Sequence, residues 1–491
     1  MKDKAWKKLS LYIPLILVEV YLGLTLLLYE FGPIDWQTEN VIRFWTLLGV
    51  YHLAFIAGYV LCIRRIKLNR TKWDSVQIGS NIYRIVIWGI IALSVVCACI
   101  EYRNLTRADS FIPYALPKNF LRGLLYPADQ YYSKGGYFVP NKLVTMLSAA
   151  FSFIYVSLIP LLIVEWKRLS VPQKICIMAI ILFRVVVYIS IRTNKGIFDT
   201  MFSFVGMLVI LLMLNVFHHT NEHIDKKTFV KISAFTVFLA VFCAVYFTSN
   251  ISSRLGQGSI ADNVKEYIKN KTATNEIEQN EAATNEIKQS ETDEIANLIS
   301  VDENEEVKME KAEKAEEERE KSGAVAPKRA SFLQRMYRYG TDYLTQGYYG
   351  MSLALDEEFT TTYGIGSSQF LMSNFKSLFG IDVKDRTYQH KITEQWHEDG
   401  KWHSFYSYVA NDVSFYGVIL VMFLIGLFYG CICKDVIENN SFIGKMLLPL
   451  FVILFMYMPA NNQVFTAMAT CTAFLELSAL WIVSKIKLKK G

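Results

Sequence analysis

Long apolar runs alternate with short basic clusters along most of this 491-residue chain. Ten runs are near the length a helix needs to cross a hydrocarbon core, about 20 residues. They are roughly 9–29, 42–63, 82–101, 143–164, 174–191, 197–217, 232–250, 413–433, 445–460 and 464–484. A helix satisfies its own backbone hydrogen bonds in lipid, so each run predicts a transmembrane span. The stretch 343–355, YLTQGYYGMSLAL, is more weakly apolar and predicts a re-entrant or interfacial helix. SQFLMSNFKSLFG, further on, predicts a short amphipathic helix at the membrane surface.

The basic clusters set the orientation. Lys2, Lys4, Lys7 and Lys8 precede the first run, and Arg64, Arg65, Lys67, Arg70 and Lys72 follow the second. Lys167, Arg168 and Lys174 separate runs four and five, Lys226, Lys227 and Lys231 runs six and seven, and four lysines end the chain. All of these fall on one face if both termini are cytoplasmic, as the cytoplasmic excess of Lys and Arg requires. MKDKAWKK leads into an apolar run too long for a signal peptide and without a small-residue cleavage site, so it is expected to stay as the first span.

The expected fold is all-α: an integral membrane protein, a polytopic bundle of about ten transmembrane helices with two long outward-facing loops. Residues 1–250 form a bundle of seven spans that includes the outer loop 102–142; 251–412 form the large extracytoplasmic loop; 413–491 carry three spans. The second loop changes character along its length. TATNEIEQNE at 272–281 is followed by the near-repeat AATNEIKQSE at 282–291. From Lys271 to Lys321 there are 17 acidic and 7 basic residues and no aromatic ring. Such a segment buries too little apolar surface to offset its ordering entropy, so a disordered insert is expected over about 262–327. Beyond it the loop becomes aromatic and is expected to be folded and partly helical.

Composition agrees: 52% hydrophobic, 20% charged, mean hydropathy +0.24. The net charge of +6 sits mostly beside apolar runs, with no basic, aromatic-laced stripe, so no nucleic-acid partner is expected. The eight cysteines lie in or beside the runs and predict no disulfide framework. The pairs Cys97/Cys99 and Cys431/Cys433 lack a histidine and read as small packing residues.

Ionisable residues inside spans need partners. Glu19, Arg184 and Glu476 lie there, and Arg184 is expected to pair with Glu19 or Glu476. At 100° per residue, Tyr188, Arg192 and Lys195 fall within about a quarter turn of Arg184. Arg192 and Lys195 belong to SIRTNKGIFD and emerge on the outer side, against the positive-inside bias. Snorkelling to headgroups explains a lone lysine there. An aligned pair favours an anion site, and Arg254, Arg335 and Arg338 add outward cations. Guanidinium groups chelate phosphate oxygens. With aromatic side chains beside them, they suit a lipid-linked sugar phosphate.

YLTQGYYGMSLAL, TTYGIGSS and SFYSYVANDVSFYGVILVMFLIGLFYG, with the S-x-R-T-N-K-G turn, resemble the bacterial oligosaccharide repeat-unit polymerases (O-antigen polymerase, Wzy-type). The resemblance is strongest in the second half. It implies a multi-pass glycosyltransferase of the bacterial cytoplasmic membrane. Such an enzyme moves the growing glycan from undecaprenyl pyrophosphate onto the non-reducing end of the next lipid-linked unit. The implied partners are that lipid-linked oligosaccharide, the bilayer, and a chain-length regulator and flippase of the same pathway; no cofactor and no metal is implied. The acidic insert departs from the family pattern, and NDVSFYG stands where an Asp-Phe-Gly-like turn is usual.

Such a transfer needs cations on the leaving pyrophosphate and a base for the acceptor hydroxyl. The pyrophosphate candidates are Arg192, Lys195, Arg254 and Arg338; the glycan candidates are Tyr343, Gln346, Tyr348 and Trp402. His403 and then Asp412 lead the base candidates, ahead of Glu394, His397 and Glu398, with Glu30 or Asp35 next. The spacing of His390, His397 and His403 matches no standard zinc signature. Two alternatives are a ligase with similar chemistry and a transporter of the lipid-linked unit. A transporter should show repeats and broken helices with polar midplane residues, and the runs suggest neither.

Overall fold

The computed structural model describes residues 11–68, 80–106, 111–114, 116–125, 142–216, 226–254, 331–398 and 400–486. Among them it is helical, with no strand. The first half contains α1 (Ile13–Phe31), α2 (Val41–Arg65), α3 (Ser80–Thr106), α4 (Leu116–Leu125), α5 (Lys142–Ala150), α6 (Ser152–Val156) and α7 (Leu158–Val164). There follow α8 (Val171–Ser190), α9 (Lys195–Val216), α10 (Lys226–Arg254), α11 (Phe332–Ala354), α12 (Gln369–Phe379) and α13 (Tyr388–Lys391). The last are α14 (Phe405–Asn439), α15 (Phe442–Tyr457), α16 (Gln463–Thr466) and α17 (Met468–Lys485). The acidic repeat lies outside the described residues.

Seven helices, α1, α2, α3, α8, α9, α10 and α14, are long and apolar enough to cross a membrane. Of the other three runs, two are interrupted and one forms a continuous but shorter helix. Run 143–164 divides into α5, α6 and α7. The break frees the Phe153 amide, which donates to Glu476 Oε2 on α17 at 3.2 Å, as does Ser152 Oγ at 3.2 Å. Run 445–460 is the 16-residue α15, with Pro449 inside it. Run 464–484 divides at Ala467, which is extended. Hydropathy along a sequence reports composition, and continuity depends on whether side chains from other helices can take over freed backbone groups.

Helix α14 packs along α2 through small residues. A Cβ on Gly426 would lie 2.0 Å from Phe55 O, and one on Gly58 2.0 Å from Phe423 O. Removing the Cβ lets the two backbones touch, the close packing that apolar solvent favours between helices. Within α14, Ser414 sits at φ 63°, ψ 166° and kinks the helix. The carbonyl freed at Asn411 accepts from Thr362 N at 3.1 Å and Thr362 Oγ1 at 2.9 Å, so the kink anchors the loop before α12.

Helix α11 incorporates the weakly apolar stretch up to Ala354 and lies across the ends of α1 and α2. Trp36 Nε1 donates to Thr345 Oγ1 at 2.9 Å, Thr25 and Tyr348 hydroxyls meet at 3.0 Å, and Asn40 Nδ2 donates to Asp356 at 2.7 Å. This is the loop end of the bundle. At the opposite end the fully buried Asp435 ties α14 to α17. It accepts from Trp481 Nε1 at 2.8 Å, Lys485 Nζ at 2.8 Å and Asn439 Nδ2 at 2.7 Å.

Candidate functional site

The basic turn between α8 and α9 is not one helical stripe. Helix α8 stops at Ser190, Arg192 takes a left-handed φ of 60°, and Lys195 opens α9. The projection that aligned Arg192 and Lys195 with Arg184 on one helix therefore fails two residues early. Asn250, fully buried near the end of α10, donates to Arg192 O at 3.2 Å and Asn194 Oδ1 at 2.9 Å. Gly196 has no side chain because the Tyr188 ring lies flat against it; a Cβ there would fall 2.0 Å from that ring.

Arg184 pairs with neither Glu19 nor Glu476. Its Nε lies 3.4 Å from Glu101 Oε2, and Nη2 donates to Oε1 at 3.5 Å. Tyr155 OH donates to Glu101 at 2.5 Å and Tyr188 OH at 2.9 Å, and the guanidinium lies over the Tyr155 ring at 4.8 Å. Glu19 instead meets His52 Nδ1 at 2.7 Å. One turn into α9, Asp199 stands 3.5 Å from Lys195 Nζ. Asp199 is 4% exposed, and neither of its oxygens has a hydrogen-bond partner. Two acids and two bases thus share one interior, where each charge needs its neighbour. A narrow cleft opens beside them, lined by Arg184, Asp199, Thr200, Ser203 and Thr470 against apolar walls.

The cleft joins the aromatic loop through α10. Phe198 faces Phe247 at 5.9 Å, Phe247 faces Tyr343 at 5.2 Å, and Tyr343 faces Trp402 at 5.6 Å. Gln346 Oε1 accepts from Trp402 N at 3.0 Å. Tyr343, Gln346 and Trp402 are therefore brought to the Lys195 end of α9. Arg338 lies one helical turn before Asp342 on the same α11, its Nε buried without a hydrogen-bond partner. The side chain of Arg254, the last residue of α10, lies outside what the structure describes.

Three candidates occupy other positions. Tyr348 is fully buried against Tyr29 and Thr25, a packing position with no surface for a glycan. His403 is fully buried, its two ring nitrogens without partners, and burial pushes its pKa down to about 3. Asp412 holds the TTYGIGSS loop. It accepts from Gly364 N at 2.9 Å, Gly366 N and Ser367 N at 3.0 Å, and from the Thr362 hydroxyl. A carboxylate with four donors in place is a loop staple, its oxygens already occupied. Glu398 is likewise engaged: burial alone raises its pKa, but hydrogen bonds from Lys384 and His390 outweigh that and hold it below the usual range. Glu30 and Asp35 are exposed at the loop end.

Glu101, Asp199 and Asn250 went unpredicted. Glu101 and Asp199 sit at the edges of apolar runs, where a charge looks ordinary. The signal for Asp199 was its i,i+4 spacing from Lys195, a pair that helices favour.

The helix breaks are also unpredicted, and they border this site. Tyr155 comes from α6, Thr470 from α17, and both follow an interruption. No family model, no curated protein and no solved structure matches the chain.

Proposed function

We propose that the protein polymerises a surface polysaccharide on the outer face of a bacterial cytoplasmic membrane. It transfers the growing oligosaccharide from undecaprenyl pyrophosphate to the non-reducing end of the next lipid-linked unit. The observation that carries this reading is the meeting, at one end of a helical bundle, of a basic turn with an aromatic helix. Arg192 and Lys195 supply positive charge for the departing pyrophosphate, with Arg338 close along α11; Tyr343 and Trp402 offer faces for sugar rings. The adjoining tyrosine-rich motif gives the reading its sequence support. Both termini are cytoplasmic in this reading, and the bundle works with a flippase and a chain-length regulator.

Deleting the gene in its host and sizing the surface glycan tests it. A polymerase loss leaves a single capped unit and no long ladder. Arg192→Ala, present in the membrane at the wild-type level, should give the same phenotype; a normal ladder from that variant removes Arg192 from the reading.

A second reading has its own observation. The interrupted runs that give α5–α7 and α16–α17 border an interior cleft with Arg184, Asp199, Thr200, Ser203 and Thr470 in its apolar wall, and broken helices beside buried polar groups are the pattern of transporters. Transport of the lipid-linked unit predicts loss of all glycan on deletion, with units accumulating on the inner leaflet.

A further inference from the structure

We propose that the furrow between α2 and α14 at the loop end holds an anionic phospholipid, with Arg43 on its phosphate. Arg43 lies in the first turn of α2, and Arg64 and Arg65 end the same helix. At 1.5 Å per residue, about 32 Å separates Arg43 from Arg64, close to the thickness of a hydrocarbon core. Arg43 therefore stands at the headgroup level of one leaflet, and Ile42 beside it is 85% exposed.

A groove of about 570 Å³ opens at this level, lined by Ile42, Arg43, Thr46 and Leu47 of α2 and by Tyr416 of α14. That volume lies within the range of small-molecule sites, about 300–1,000 Å³. Arg43 is the one charged side chain in the lining among the described residues. Its Nη1 donates to Leu355 O, and its guanidinium lies over the Tyr416 ring at 5.7 Å. These contacts hold the cation in place without cancelling its charge. Asp356 is bonded to Asn40 Nδ2 at 2.7 Å, and no carboxylate among the described residues pairs with Arg43. No side chain caps the first turn of α2, so the positive end of the helix adds to the same field. A phosphate diester answers that charge with oxygens that a guanidinium takes in charge-assisted hydrogen bonds. A choline headgroup would bring a second cation that no carboxylate in the lining receives.

The chain of the lipid also has a path. Below Arg43 the same face of α2 continues through Leu47, Val50, Ala54 and Ala57, at i+4, i+7, i+11 and i+14. The side chains shrink with depth, and Ala57 is exposed. Helix α14 is packed backbone to backbone on α2 at Gly58 and Gly426, and on the Tyr416 side it continues through Leu420 and Phe423. Leu420 is 62% exposed. The two faces border a shallow apolar furrow that leads from the cation into the membrane. The site needs only a bilayer around α2 and α14, so it is independent of both glycan readings.

The test uses the full chain purified in neutral detergent and titrated with phosphatidylglycerol or with phosphatidylcholine of the same chains, bound lipids being counted by native mass spectrometry. Wild type should bind its first phosphatidylglycerol at least about tenfold tighter than phosphatidylcholine, and Arg43→Gln should lose that preference. Ala54→Phe fills the furrow and keeps Arg43, and it should weaken phosphatidylglycerol binding as well. Equal first affinities for the two lipids in wild type overturn the proposal, as does a preference that survives Arg43→Gln. Displacement of the lipid by millimolar inorganic phosphate also overturns it, because the site then takes free anions. Should Arg43→Gln be missing from the membrane, wild type decides alone. Phosphatidylglycerol with a photoreactive chain should label α2 between Val50 and Ala57 or α14 between Tyr416 and Phe423, and labelling confined to other helices overturns the site.

Discussion

Asp435 and Asp199 are both buried carboxylates in one bundle, and their surroundings are opposite. Asp435, at the end away from the loops, accepts three hydrogen bonds of 2.7–2.8 Å from Trp481, Lys485 and Asn439. Asp199, near the loop end, has a lysine at 3.5 Å and no hydrogen bond. Lys434 next to Asp435 is equally well placed, donating to Ile63 O at 3.0 Å and Ile66 O at 2.8 Å. Folding alone accounts for the satisfied end, which ties three helices together. It gives no reason to leave polar atoms unmatched at the other end, because each costs stability when buried. Unmatched groups beside a cleft and a basic turn set this end apart from the satisfied one.

The largest effect follows from breaking the satisfied end. Asp435→Ala removes the carboxylate that Lys485, the Trp481 indole and Asn439 share. Loss of one partner from a buried ion pair costs about 3–5 kcal/mol. The melting temperature in detergent should fall steeply, and further than for Asp199→Ala, where the carboxylate lost has one lysine at 3.5 Å and no hydrogen bond. A larger loss from Asp199→Ala would erase the distinction between the two ends.

Asp412 sharpens the comparison at the next level. Asp412→Ala takes the acceptor from three backbone amides and a hydroxyl, an expected cost of about 2 kcal/mol. The loop 361–368 should become the first site of protease cleavage. Asp412→Asn keeps one carbonyl acceptor and, on the polymerase proposal, should retain polymer synthesis at a reduced level. Complete loss of polymer from a stably inserted Asp412→Asn protein would return Asp412 to the chemistry.

Sequence carried the helical class, the course of most spans and the residues that meet at the loop end. Apolar runs and basic flanks are local signals, and SIRTNKG and YLTQGYYG were visible as oddities beside them. It failed where the answer depended on which helices are neighbours. Arg184 had two candidate acids by depth, and the true partner, Glu101, came from a helix that no one-dimensional reading places beside it. The backbone between Ser190 and Lys195 defeated a helical projection because Arg192 turns left-handed. Asp412 looked like a base because it lies beside a span, near the lipid headgroups. Only the folded loop shows that its oxygens are occupied by amides 45 to 48 residues away in the chain.

His403 gives the smallest effect and the most specific signature. Its imidazole is fully buried without a partner, between the loop and α14, and burial holds its pKa at about 3 against an ordinary 6.5. In the unfolded chain the ring protonates below 6.5 while the folded ring stays neutral, so the unfolded state binds the extra proton. Stability is therefore complete above 6.5 and lost progressively as pH falls towards 3. Between pH 6.5 and about 5.5 the loss is about 1 kcal/mol. His403→Leu fills the same apolar space without a titrating group, so its melting temperature should fall less over that interval than the wild type's. Equal slopes for the two proteins would mean that the ring finds a partner in solution. His403 would then rejoin the groups available for chemistry.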